Sequence, residues 1–167
     1  RIISPLSQMG ALISSDNQKL PLLIDSNSLN GIEYKLPIAS SQVKSSIILA
    51  ALGATTVTRI IEPIKTRDHS EIMLSNLGAE ISVNENEISI SPLNSKLNPF
   101  ELRVPGDPSS AAFFAAAAAM VPNSDLIIKN ISANPTRIGF FNIFEKMGGG
   151  VIWENIHMEC GELFGDV

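Results

Sequence analysis

Two short clusters carry the residue types with which this chain could grip an anion. The first is Ser40-Ser41-Gln42, at the start of a helical pattern that runs from Ser40 to Leu52. Two hydroxyls and a carboxamide stand beside the unpaired N–H groups and positive dipole end of a helix's first turn. That combination suits phosphate or carboxylate. Ser40 acting only as a helix cap, worth about 1 kcal/mol, is the competing role; Gln42 is what a cap leaves unexplained. The second cluster is Thr66-Arg67-Asp68-His69, between a strand pattern and a helix start. Such loops often present ligand-binding groups in α/β sheets. The planar fork of Arg67 matches phosphate. The alternative is a surface arginine paired with Asp68 or Glu71. His69 has the chemistry of a general base, but spacing identifies no partner carboxylate for it, and a lone histidine in a first turn is more often structural.

The elements that must position these residues come in repeats. Ser40-Ser41 recurs as Ser109-Ser110, 69 residues on, and Thr66-Arg67 recurs as Thr136-Arg137, 70 residues on. Leu77-Gly78-Ala79 recurs as Met147-Gly148-Gly149, and Met9-Gly10-Ala11 is an earlier echo. Each unit of a repeat protein buries its apolar face on its neighbours, so differences between copies point to function. The first copy has Gln42-Val43 where the second has Ala111-Ala112, and it is locally basic through Arg59, Lys65 and Arg67.

Periodicity and punctuation predict the following order. A helix ends at Gly10, a strand covers Leu20–Ile24, and a turn-rich connection spans Asn27–Lys35. Helix Ser40–Leu52 follows, with Gly53 as its stop signal, then strand Thr55–Ile61. Helix Asp68–Leu77 starts on a capping-box-like Asp68 and Glu71. A hairpin pairs Glu80–Val83 with Glu87–Ser91 around Asn84-Glu85-Asn86, and Pro92–Pro99 is a loop. Strand Phe100–Val104, helix Ser109–Met120, strand Asp125–Asn130, helix Thr136–Met147 and strand Gly150–Glu154 repeat the order. The unit is βαβαββ, which favours a parallel or mixed sheet covered by helices. Lys96–Pro105 is the expected boundary between two bodies. Lys44 is expected in solvent, Asp107 as a helix cap, and Cys160-Gly161 in a polar tail.

The bulk properties narrow the classes. At 167 residues the chain has room for one domain or parts of two. It is 44% hydrophobic and 17% charged, as packed globular proteins are. A net charge of −5 argues against general nucleic-acid binding. The single cysteine forms no internal disulfide and no zinc site, which suits a reducing compartment. No apolar run has membrane-spanning length and no signal peptide is visible. No P-loop, Gly-x-Gly-x-x-Gly, nucleophile elbow or metal-ligand spacing occurs. The chain opens on Arg1 rather than methionine, which reads as a fragment.

Four ordered blocks then resemble the 5-enolpyruvylshikimate-3-phosphate synthase family across nearly the whole chain. They are Leu36-Pro-Ile-Ala-Ser-Ser-Gln-Val-Lys-Ser45, Thr66-Arg-Asp-His-Ser-Glu71, Val104-Pro-Gly-Asp-Pro-Ser-Ser-Ala-Ala-Phe-Phe114, and Asn134-Pro-Thr-Arg137 through Glu145-Lys-Met-Gly148. The resemblance implies an inside-out α/β barrel of two lobes, each of three βαβαββ units, incomplete here. Residues 1–104 would belong to one lobe and 105–167 would begin the other. It implies transfer of the enolpyruvyl group of phosphoenolpyruvate to the 5-hydroxyl of shikimate 3-phosphate, through a tetrahedral intermediate, with release of phosphate and no cofactor. Ser40, Ser41, Gln42, Thr66 and Arg67 would bind shikimate 3-phosphate, with Gln42 touching both substrates. Thr66 stands where the family usually has serine, and Ser41 where many relatives have alanine. The family's proton-transfer groups lie outside the chain, so no turnover is expected of it alone. A cytoplasmic monomer is expected of the complete protein. The competing assignments are the sister transferase that acts on UDP-N-acetylglucosamine, whose loop differs from Thr66-Arg67-Asp68-His69, and a silent repeat module that only binds partners.

Overall fold

In the computed structural model, which describes residues 1–17, 19–25 and 27–167, the chain divides into two units, Arg1–Pro99 and Phe100–Val167. The first unit begins with helix α1 (Ile3–Gln8) and an antiparallel hairpin of β1 (Leu12–Asp16) and β2 (Lys19–Asp25). Then come β3 (Glu33–Lys35), α2 (Ser41–Ala51), β4 (Thr58–Ile61), α3 (His69–Asn76), β5 (Ile81–Asn84) and β6 (Glu87–Ile90). Their sheet has the order β3-β4-β6-β5; β3 and β4 run parallel and the other pairs antiparallel. Ile47, Ile48 and Ala51 of α2 and Leu74 of α3 bury against Ile60, Ile88 and Ile90 of the sheet. Apolar residues at these helical spacings make one stripe, and alternate residues of each strand make the facing surface.

The second unit repeats the plan with less strand. A parallel bridge joins Gly106 to Ile131, standing where β3 meets β4. Helix α4 (Pro108–Met120) follows, then β7 (Ile131–Ser132), α5 (Gly139–Lys146), β8 (Glu154–Glu159) and β9 (Glu162–Asp166). The sheet order β7-β9-β8 matches β4-β6-β5. Its core sets Ala111, Ile131 and Phe141 together, with Phe141 edge-on to Trp153 at 5.5 Å. Helix α4 is apolar on every side after its first turn, yet Phe113 is 79% and Met120 82% exposed. Such a helix suits an interior.

The echoed glycines end three helices in one way. Gly10, Gly78 and Gly148 have φ of 101°, 97° and 94°. Each donates its N–H three residues back (to Ser7, Ser75 and Glu145), and the residue after it donates five back (to Leu6, Leu74 and Phe144). This is the Schellman pattern, which needs left-handed φ and so favours glycine.

The βαβαββ order read from sequence is therefore present, with local corrections. The connection Asn27–Lys35 contains β3, a strand too short to show a period. Hairpin β1–β2 extends the strand expected at Leu20–Ile24. Strand Thr55–Ile61 shortens to β4. Gly53 follows α2 without taking left-handed φ. Phe100–Val104 and Asp125–Asn130 are not strands; the second segment pairs by Ile128 with Val167, at 2.7 and 3.0 Å. The last strands lie later than expected, and Cys160-Gly161 is the turn of hairpin β8–β9, at φ of 47° and 77°. Apolar β-branched residues set strand propensity, but pairing decides which segment becomes a strand.

Candidate functional site

Both clusters lie in the first unit, at one edge of its sheet. Lys35 of β3 is in register with Ile61 of β4, and Leu36 N–H donates to the Ile61 carbonyl at 2.9 Å. The loop to Ser40 and the loop to Asp68 therefore leave the carboxyl ends of adjacent parallel strands. Such ends are where open α/β sheets take ligands. Ser40 is the N-cap of α2, with φ −149° and ψ 105°, and its hydroxyl oxygen accepts from Val43 N–H at 3.5 Å. Because the oxygen only accepts in that bond, the hydroxyl proton stays available to donate. Ser41 is half-buried in the first turn, and Gln42 is exposed.

Arg67 is exposed, and among the described residues no carboxylate lies within ion-pair reach of it. The surface pairing considered for it does not form. Lys65 takes Asp68 at 3.5 Å, and Glu71 goes to another partner. Arg59 is engaged with Glu87 at 3.9 Å. Of the three basic residues that distinguish this copy, Arg67 alone keeps its charge uncompensated. Thr66 is half-buried, and its hydroxyl and N–H both donate to Glu62 Oε1. Its proton is thus committed within the protein, so Thr66 fixes the loop and offers a ligand only lone pairs.

The second unit shows what the same layout does when it supplies its own anion. Arg137 precedes the N-cap of α5 as Arg67 precedes the N-cap of α3. Arg137 donates to the carboxylate of Asp107 and, at 3.1 Å, to Ser109 Oγ. Asp107 caps α4, accepting from Ser109 N–H at 3.1 Å, as the sequence indicated. The Ser109 N–H bond, with the Arg137 charge beside it, holds the Asp107 carboxyl below its ordinary value. In α2 the N-cap is Ser40, and Ser41 and Gln42 open the first turn; all three side chains are neutral. The first unit therefore keeps the arginine and the helix end but lacks the carboxylate between them.

Lys44 departs most from expectation. It is 0% exposed, with Nζ 3.1 Å from Glu62 Oε2 and 2.7 Å from Glu71 Oε1, whose side chains are 2% and 4% exposed. A buried ammonium is tolerated only with partners, and these carboxylates supply them. Glu71 consequently does not close a capping box, and Asp68 occupies the N-cap position of α3 without a side-chain capping hydrogen bond. The signal was in the sequence: Lys44, Ile47, Ile48 and Ala51 fall on one helical stripe. Helices α2 and α3 are further joined by a 2.6 Å hydrogen bond between Ser45 Oγ and Ser70 Oγ. His157, Cys160 and the other potential ligands gather into no cluster of three among the described residues, and no helix there is long and apolar enough to cross a membrane.

Comparison with known proteins agrees with this fold. The family model for EPSP synthase (3-phosphoshikimate 1-carboxyvinyltransferase) matches residues 1–162. The chain is 46% identical over its whole length to the 3-phosphoshikimate 1-carboxyvinyltransferase of Thermodesulfovibrio yellowstonii, covering 39% of that protein. It is 47% identical to that of Syntrophomonas wolfei, again over 100% of this chain and 39% of the relative. The solved EPSP synthase of Acinetobacter baumannii superposes on 99% of the chain and 38% of its own length, with a TM-score of 0.89 and 40% identity. This chain thus spans about two fifths of the relatives it matches, and by sequence and fold alike it belongs to the EPSP synthase family.

Proposed function

We propose that this chain forms the shikimate 3-phosphate subsite of a 3-phosphoshikimate 1-carboxyvinyltransferase. The complete enzyme would transfer the enolpyruvyl group of phosphoenolpyruvate to the 5-hydroxyl of shikimate 3-phosphate and release phosphate. The observation that carries the reading is the contrast between units. Arg137 holds the carboxylate of Asp107 at the N-terminal end of α4, whereas Arg67, at the corresponding place before the N-cap of α3, has no carboxylate within ion-pair reach among the described residues. A phosphate completes the first unit as Asp107 completes the second. Helix N–H groups, the Ser40 hydroxyl and Arg67 supply its donors, Ser41 adds its backbone and hydroxyl, and Gln42 reaches toward the reacting end. Thr66 orders the loop.

The two units are read as parts of two lobes, the first reaching about Val104 and the second beginning near Pro105. The exposed apolar sides of α4 support the presence of further repeats around it in the complete protein. The chain alone carries a binding half-site and should show no turnover. The test is phosphate release from phosphoenolpyruvate by a full-length chain carrying this segment. Release that depends on shikimate 3-phosphate supports the reading. Release that depends instead on UDP-N-acetylglucosamine, or with neither acceptor, would overturn it.

A further inference from the structure

We infer that Lys44 is a positioning residue for anion binding: its buried ammonium clamps both ends of the Glu62–Glu71 segment and thereby sets where Arg67 stands relative to the end of α2. The inference rests on the phosphate-site reading above but adds a residue to which that reading gives no role. Arg67 sits on a loop, is exposed, and has no ion-pair partner of its own among the described residues to hold it. What holds the loop is deeper. Glu62 lies at its start and Glu71 beyond its end, nine residues apart, and both carboxylates close on one nitrogen at 3.1 and 2.7 Å. Lys44 is itself one turn into the helix whose cap is Ser40, so one side chain ties the anion-binding helix end to the anion-binding loop. Glu62 carries the tie onward, since its other oxygen accepts both donors of Thr66, the neighbour of Arg67.

Burial makes this arrangement expensive if it served stability alone. Two carboxylates and one ammonium are withdrawn from water, and Glu71 Oε2 is buried without a hydrogen-bond partner among the described residues. Hydrophobic or neutral groups of similar volume often stabilise such a site as well or better. What the charges add is geometry, because an ion pair fixes the loop ends at a set distance from α2 where apolar packing tolerates sliding. A binding site loses much of its power when its supporting contacts are loose.

The test separates clamp from mere packing. Lys44→Met alone strands two buried carboxylates and so confounds loss of the clamp with loss of folding. The informative protein is therefore Lys44→Met/Glu62→Gln/Glu71→Gln, built in a full-length chain and accepted when its melting temperature stays near the parent's. Limited trypsin digestion, read site by site, reports the loop without any ligand. Cleavage after Lys65 and Arg67 should rise relative to cleavage after Lys96 and Arg103, and an unchanged ratio would overturn the clamp. Shikimate 3-phosphate titration then reports function. The neutral variant should lose as much affinity as Arg67→Ala, and combining the two should add less than about two-fold. Full additivity, or native affinity in the neutral variant, would overturn the positioning role. If Arg67→Ala itself binds normally, the phosphate reading fails, and the digestion ratio alone decides the clamp.

Discussion

Replacing Arg67 by alanine should cost ligand binding and almost nothing else. The side chain is exposed and forms no ion pair among the described residues, so its removal leaves no buried partner stranded. Surface substitutions of that kind stay within about 0.5 kcal/mol of native stability. A hydrogen bond to a charged group is worth about 1.5–3 kcal/mol, which corresponds to a loss of roughly ten- to hundred-fold or slightly more in affinity. The assay is calorimetric titration of shikimate 3-phosphate into full-length parent and variant, with thermal melts of each run in parallel. Arg67→Lys should recover only part of the loss, because an ammonium cannot offer two parallel N–H groups. The matched change in the second unit, Arg137→Ala, gives the opposite pattern. It leaves Asp107 without its guanidinium and should lower stability more than Arg67→Ala, while leaving affinity near native. Unchanged affinity in Arg67→Ala, with a folded protein, would refute the argument that the first unit awaits an anion its sequence does not provide.

Other outcomes follow from the same contacts. Lys44→Met should destabilise the first unit by about 3–5 kcal/mol, because two buried carboxylates lose their common cation; a thermal melt within a few degrees of the parent would contradict the burial seen here. Asp107 has a folded-state carboxyl held below its unfolded value, so its contribution is present above about pH 4 and fades as pH falls through the lower folded value. Asp107→Asn should therefore flatten the acid side of the second unit's stability profile while keeping a competent cap, as followed by urea unfolding between pH 2 and 6. Gly31→Ala places a Cβ about 2.2 Å from the Val57 carbonyl oxygen and 2.4 Å from that of Thr56. Backbone cannot yield there as a side chain would, and a cost of about 1–3 kcal/mol is expected; a neutral change would show that β3 can shift away.

The parts of the fold read correctly from sequence are those set by local chemistry. Ser40 at a helix start and Asp107 at the next one follow from capping preferences. The three helix-ending glycines follow from left-handed φ. The parts misread depend on what lies across the fold. Lys44 was expected in solvent because a lysine without a visible partner normally is. Its partners are 18 and 27 residues away and meet it only when α2 packs over β4 and α3. Glu71 was expected to turn back on its own helix, and the buried ammonium takes it instead. Phe100–Val104 and Asp125–Asn130 are not strands for a related reason, since a strand needs a continuous ladder of pairing as well as apolar residues, and the second segment meets Val167 through Ile128 without forming one.

By itself the sequence determined the repeat, the βαβαββ order and the helix ends, and it singled out Ser40, Gln42 and Arg67 as candidate anion-binding side chains, because these rest on spacing, turn chemistry and residue type within a few positions. Only the tertiary structure decided which charges are already spent. Arg137 meets Asp107 and Lys44 meets Glu62 and Glu71, while Arg67 meets no carboxylate among the described residues. Coulomb attraction and burial act through space over a few ångströms, and that distance is fixed by the packing of helices on a sheet rather than by position along the chain.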